Sequence, residues 1–255
     1  LRERLSALVP DGAGECAVHT FHSLGLTLLH ADGEAAGLQP DFRVADERER
    51  AAALAADQGI SESRAMRLLK TVSMLKRTGA APADAEVAAA LAACRRIGRE
   101  RNWVDFDDLV GLPVEILQAN AEIAARWRQR FHHVCVDEFQ DVDERQYVLL
   151  RLLAAPDGNA CVIGDPNQAI YGFRGANAAC FSQFGRDFPS TRTVRLGRNY
   201  RCSGTIVTAA SQVIGNAAPE DITRPMLEPI TIHAASTERA EAEFVAATIE
   251  SLLGG

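Results

Sequence analysis

One stretch, Val134-Cys135-Val136-Asp137-Glu138-Phe139-Gln140-Asp141, constrains this chain more than any other. A β-branched run ending in adjacent carboxylates is the pattern of a buried parallel strand that delivers acids at its C-terminal edge, where open α/β sheets place ligands. There Asp137 can hold Mg2+, directly or through water, and Glu138 can polarise a water for attack on a phosphate. Taken alone, the same letters also describe a strand running into a polar turn. The residues downstream separate the two readings.

A second apolar run, Ala160-Cys161-Val162-Ile163-Gly164-Asp165, also ends in an acid. It leads into Pro166-Asn167-Gln168-Ala169-Ile170-Tyr171-Gly172-Phe173-Arg174-Gly175-Ala176. A glutamine just past a strand end can sense a phosphate oxygen or a lytic water. An arginine there can neutralise charge on a transferred phosphoryl group. Exposed Tyr171 and Phe173 are suited to stacking on bases; the bland alternative puts both rings in the core.

Strand-like and helix-like segments alternate on either side of an Ala-rich, charged helical block, which predicts an α/β domain with parallel strands and an inserted helical subdomain. The expected strands lie at Glu15–Thr20, around Val134, at Ala160–Asp165, at Thr191–Leu196 and at Ile230–Ile232. Asp46 with Glu49 makes a capping-box start for a helix over 47–56, and Met66, Leu69, Val72 and Leu75 mark an amphipathic helix. Pro82 is expected to open a helix over 83–95, and one helix is expected over 113–130. Asp141 with Glu144 reads as a second capping box, before a helix over 143–153. Further helices are expected over 178–184, 203–214 and 238–253. The resulting division is a first motor-like domain at 1–30 and 102–190, an insertion at 31–101 with its own small core, and the start of a second α/β unit at 191–255.

The 255 residues carry a net charge of −7, the wrong sign for a surface that binds nucleic acid all over, so any such contact must be local. Arg95, Arg96, Arg99 and Arg101 form a basic cluster, read as a solvated face with phosphate contact as the rival. Six scattered cysteines without a C-x-x-C pair read as buried small hydrophobes in a reducing cytoplasm. His132-His133 lacks a third ligand at metal spacing. No apolar run approaches the ~20 residues that span a bilayer. The start, Leu1-Arg2-Glu3-Arg4, lacks a Met and a secretory pattern, and reads as the interior of a longer protein.

The segments TFHSLG, VDFDDLV, VDEFQD, VIGDPNQAIYGFRGA and LGRNYRC, in that order from Thr20 to Ile214, resemble the superfamily 1 DNA helicases of the UvrD/Rep type. The resemblance implies a RecA-like P-loop NTPase fold, with ATP and Mg2+ as cofactors. It implies movement 3′ to 5′ along single-stranded DNA and unwinding at single-strand/duplex junctions. A cytoplasmic, nucleoid-associated place and DNA-repair protein partners would follow.

Residue by residue, Asp137 matches the Mg2+-associated acid and Glu138 the catalytic base of the Walker B motif. Gln168 matches the glutamine that senses the γ-phosphate, and Arg174 an arginine of that network. Tyr200 matches the residue that stacks on adenine, and Arg201 the arginine finger. Thr20, Phe21 and His22 match a motif lining the DNA path, and Tyr171 and Phe173 aromatic positions at single-stranded bases. Phe173 stands where Trp is common. Cys202 stands where Ser is usual, and a thiol is the weaker cap.

A P-loop, G-x-x-x-x-G-K-[ST], does not occur, and the only lysines are Lys70 and Lys76 in helical stretches. The chain by itself is therefore expected to turn over ATP negligibly. Two alternatives use the same motifs: part of a helicase–nuclease of the RecB or AddA kind, or a degenerate helicase-like module that binds DNA or protein.

Overall fold

The computed structural model describes every residue except 1, 11, 13, 15, 155–158, 173–178, 216–224, 226–228 and 255. It divides into two compact units, Leu1–Thr191 and Arg192–Gly255.

In the first unit, α1 (Arg2–Leu8) is followed by α2 (Phe21–Asp32). Residues 16–20 form no strand. Instead Thr20 closes a capping box with Ser23, so this segment is the lead-in to a helix. The chain then enters a parallel pair, β1 (Arg43–Val44) with β2 (Trp103–Val104), which brackets the inserted helices at their entry and exit. Asn102, at φ 52°, makes the exit turn; its side-chain oxygen accepts from the Gln39 N–H at 2.9 Å. Asparagine is among the few side chains that take this left-handed conformation cheaply.

Between those strands run α3 (Glu47–Gln58), α4 (Glu62–Thr78) and α5 (Ala85–Glu100). They bury their own cluster, including Leu54, Leu69, Val72, Ala90 and Ile97. The Asp46–Glu49 capping box forms as expected. Pro82 does not open α5; Asp84 does, accepting from the Val87 N–H at 2.8 Å. Of the basic cluster, Arg95 pairs with Glu115, and Arg96 with Asp57 and Glu100.

The expected helix over 113–130 is two, α6 (Asp108–Ala119) and α7 (Ala121–Arg130), broken at Asn120, whose side chain caps α7. Pro113 lies inside α6. Having no N–H, it leaves the Leu109 carbonyl without its helical partner. Gly25 of α2 packs against that carbonyl so closely that a Cβ would sit 1.6 Å from the oxygen. Only glycine allows this approach.

β3 (His133–Val136) and β4 (Asn159–Val162) pair in parallel, with Cys135 opposite Cys161. One face packs on a cluster containing Phe139, Tyr147, Leu150 and Phe184. The other face carries Cys135 and Cys161, which are exposed and not core residues as expected. The period-two alternation of a strand puts both on the face turned from the core. The capping box at α8 (Glu144–Leu153) is formed by Asp143 and Gln146, not by Asp141 and Glu144. Helix α9 (Cys180–Asp187) ends the unit's regular structure.

In the second unit, α10 (Gly204–Val213) and α11 (Glu238–Leu252) form as helices. The expected strands at Thr191–Leu196 and Ile230–Ile232 do not. Among the described residues neither has a partner strand; Leu196 is 89% and Ile232 90% exposed. Alternation creates a strand only where a second strand takes its hydrogen bonds.

Candidate functional site

Asp137 and Glu138 leave the C-terminal end of β3 with both side chains exposed. The ladder continues past them. The Ile163 N–H donates to the Val136 carbonyl at 2.8 Å, and the Phe139 N–H donates to the Ile163 carbonyl at 2.9 Å. Between these anchors Glu138 is held at φ 51°, ψ 45°. That conformation costs a non-glycine residue about 1 kcal/mol. It is paid for by Phe139, which is fully buried and packs edge-on against Phe181 at 5.1 Å and Phe184 at 5.8 Å.

The strained turn feeds a hydrogen-bond chain. Gln140, 2% exposed, donates from Nε2 to Glu138 Oε2 at 2.6 Å. Its Oε1 accepts from the Asp165 N–H at 3.0 Å. The Asp165 carboxylate then accepts from the Asn167 N–H at 3.0 Å and from Gln168 Nε2 at 2.9 Å. Glu138, after β3, is thereby linked to Gln168, after β4, through one buried amide and one carboxylate. Gly164 makes room for it: a Cβ there would meet Gln140 Oε1 at 2.3 Å and the Phe139 nitrogen at 2.9 Å. Asp137 Oδ1 accepts from the Glu138 N–H at 3.0 Å. Asp141 holds one buried carboxylate oxygen with no hydrogen-bond partner among the described residues.

The other expected site residues fall elsewhere. Thr20 spends its hydroxyl on the Ser23 N–H, at 3.1 Å. Phe21 is packed against two core clusters. His22 is half-buried and stacks on Phe106, ring centroids 3.9 Å apart and planes 23° apart. Burial lowers the His22 pKa; the Asp107 charge opposes this and the Arg77 charge adds to it. Tyr171 is 37% exposed, whereas Phe173 and Arg174 lie outside the described residues.

In the second unit, Asn199 Oδ1 accepts from the Arg201 N–H at 3.0 Å and the Cys202 N–H at 2.9 Å. Tyr200 is 64% exposed, with the Arg198 guanidinium 5.5 Å from its ring centroid. Cys202 is not the helix cap; Ser203 occupies that position, without a side-chain cap bond.

Sequence reasoning missed Gln140 and Gly164, whose roles depend on the register of β4 beside β3. Asp165 was legible as an acid ending a strand, but its bond to Gln168 was not.

Residues 1–189 match the family model described as the UvrD/REP helicase N-terminal domain. The chain is 37% identical to an "ATP-dependent DNA helicase UvrD1" of Mycobacterium bovis, covering 100% of this chain and 37% of that protein. It is 33% identical to an "ATP-dependent DNA helicase PcrA" of Leuconostoc citreum, over 99% of this chain and 36% of that protein. A PcrA of Staphylococcus aureus is 31% identical over 96% of this chain, 36% of its own length. The chain thus spans little more than a third of the curated relatives it matches.

Proposed function

The chain belongs to the UvrD/Rep helicase family, and from that premise we propose that it is part of an ATP-dependent DNA helicase motor. One observation carries the reading: the acid pair after β3 is wired to Gln168 after β4 through Gln140 and Asp165. A group that activates water and a group that senses phosphate must respond to one another if hydrolysis is to drive movement.

Asp137 offers exposed, hard carboxylate oxygens at the strand end, a donor set that suits Mg2+, which takes one or two carboxylates and keeps several waters. The ion would supply charge neutralisation on the β- and γ-phosphates. Glu138 would orient the attacking water and accept its proton, and Gln168 would report the γ-phosphate. Arg174 and Arg201 would stabilise developing negative charge. Tyr200 would stack on the adenine. Thr20, Phe21, His22, Tyr171 and Phe173 would border single-stranded DNA, with Thr20 and Phe21 acting by holding the α2 N-terminus in place. The domains carrying these groups are read as two RecA-like motor halves at 1–30 with 102–190 and at 191–255, around an insertion at 31–101. A cytoplasmic location, action at single-strand/duplex junctions and repair partners complete the reading.

Displacement of streptavidin from end-biotinylated single strands tests it in the parent-length protein, meaning one of the relatives' full length that carries this chain. Mg-ATP is expected to strip streptavidin from the 5′ end and leave the 3′ end occupied. Equal or reversed displacement, or displacement without ATP, would overturn the direction or the coupling.

A further inference from the structure

Alternation along β3 turns Val134 and Val136 toward the packed cluster and leaves His133, Cys135 and Asp137 exposed. Along β4 it turns Ala160 and Val162 inward and leaves Asn159 and Cys161 exposed. The parallel register sets Cys135 directly beside Cys161. That register is fixed from both sides. A slip of one residue would turn the inward side chains of a strand off the cluster. Just beyond the pair, the Ile163 N–H is bonded to the Val136 carbonyl.

Two thiols therefore meet on an open face. Adjacent strands lie about 4.8 Å apart, and a disulfide spans roughly 4.4–6.8 Å between Cα atoms, so the backbone spacing already suits a bond. Burial raises the Cys135 pKa, and the Cys161 thiol raises it further by its charge and a hydrogen bond, which places the two thiols within bonding reach of each other. Both cysteines are exposed, so a small disulfide can reach them. The other four differ: Cys180 is buried, Cys94 and Cys202 are half-buried, and exposed Cys16 lies outside any strand. Among the described residues no other cysteine stands opposite a second one in a strand pair.

We propose that Cys135 and Cys161 form a dithiol modification site, which a low-molecular-weight disulfide such as oxidised glutathione converts to an intramolecular disulfide across β3 and β4. The site does not depend on the motor reading. One cysteine, as thiolate, attacks a sulfur of the small disulfide, whose S–S bond breaks; the first small thiol leaves and takes up the proton that the cysteine released. The second cysteine attacks the protein sulfur of the mixed disulfide and expels the second small thiol, which takes up the second proton. The cysteine pair is oxidised by two electrons, the small disulfide is reduced by two, and a reducing dithiol reverses the exchange. The new bond ties together the strands whose ends carry Glu138 and Asp165.

The test uses the 255-residue chain carrying Cys16→Ser, which removes the other exposed thiol. It is treated with oxidised glutathione under native conditions, its thiols are counted in denaturant, and its unreduced tryptic peptides are read by mass spectrometry. The protein is expected to lose two thiols, to become lighter by two hydrogens, and to yield peptides 131–145 and 152–174 joined to each other. Adding Cys135→Ser or Cys161→Ser is expected to leave one glutathione on the remaining cysteine and no joined peptides. Phenylarsine oxide, whose arsenic bridges two neighbouring thiols, gives a readout without oxidation: its Kd for the dithiol protein is expected to be at least about tenfold lower than for either serine variant, because the second thiol binds intramolecularly. Glutathione on both cysteines without a link, a link from either to a different cysteine or to a second chain, or no reaction under conditions that modify Cys16 in wild type would overturn the site. Equal affinity for the arsenical in all three proteins would overturn it too.

Discussion

Gln140 shows what a single residue contributes to the site. Both ends of its amide are engaged: Nε2 donates to Glu138, and Oε1 accepts from the backbone of Asp165. Replacement by leucine keeps the volume and removes both bonds, leaving the half-buried Asp165 N–H without that acceptor. The expected loss is about 2 kcal/mol, in the range for a buried polar group left unpaired. Calorimetry of the 255-residue chain should show a fall of several degrees in Tm for Gln140→Leu; an unchanged Tm would mean that the network adds nothing to the fold. Glu138 and Gln168 were singled out from the letters around them, an acid and an amide shortly past apolar, strand-like runs. Gln140 was not, since nothing local says which way an amide inside DEFQD points. That is settled by the strand lying beside it.

Elements were legible where their determinants are local. The Asp46–Glu49 box forms because a capping box needs four consecutive residues and nothing else. At α8 the same rule was satisfied twice, by Asp141 with Glu144 and by Asp143 with Gln146. The 3-10 turn at Phe139–Asp141, pinned by the buried Phe139 ring, decides for the second pair. The strands expected at Thr191 and Ile230 failed for the opposite reason: a strand is made by its partner.

Between elements, the link of α3 and α4 to the β2–α6 connection is electrostatic. Lys76 lies 2.7 Å from Asp105 and 2.6 Å from Asp108. Burial alone would lower the Lys76 pKa, but the charges and hydrogen bonds of Asp108 and Asp105 outweigh it and hold it above 10.5. Burial likewise works to raise Asp105, yet Lys76 and Arg50 hold that carboxyl below its ordinary range. A lysine whose pKa is raised by folding contributes its full stability below the unfolded value, and the contribution is lost as pH climbs through the folded one. The urea midpoint is therefore expected to fall as pH rises beyond about 10.5. In Lys76→Arg, whose guanidinium stays charged there, it should fall less. Identical alkaline limbs for the two proteins would show that Lys76 is not what joins these elements.

At the scale of the whole molecule, the overall charge of −7 is answered by local arrangement. Near His22, Asp105 is paired with Lys76 and Arg50, and Asp107 with Arg77. Family membership was legible because five motifs keep their order along the chain. The sequence reading opens a second unit at residue 191, and the compact units divide between Thr191 and Arg192. The central claim is that Glu138, held in a left-handed turn beyond β3, drives hydrolysis in the parent motor. Its most direct test is the steady-state, DNA-stimulated Mg-ATPase rate of the parent-length protein with and without Glu138→Gln. Glutamine keeps an oxygen for the Gln140 amide but cannot take a proton, so kcat is expected to fall by about 10²–10⁴ with binding of single-stranded DNA retained. A Glu138→Gln enzyme that hydrolyses ATP at the wild-type rate would contradict the account.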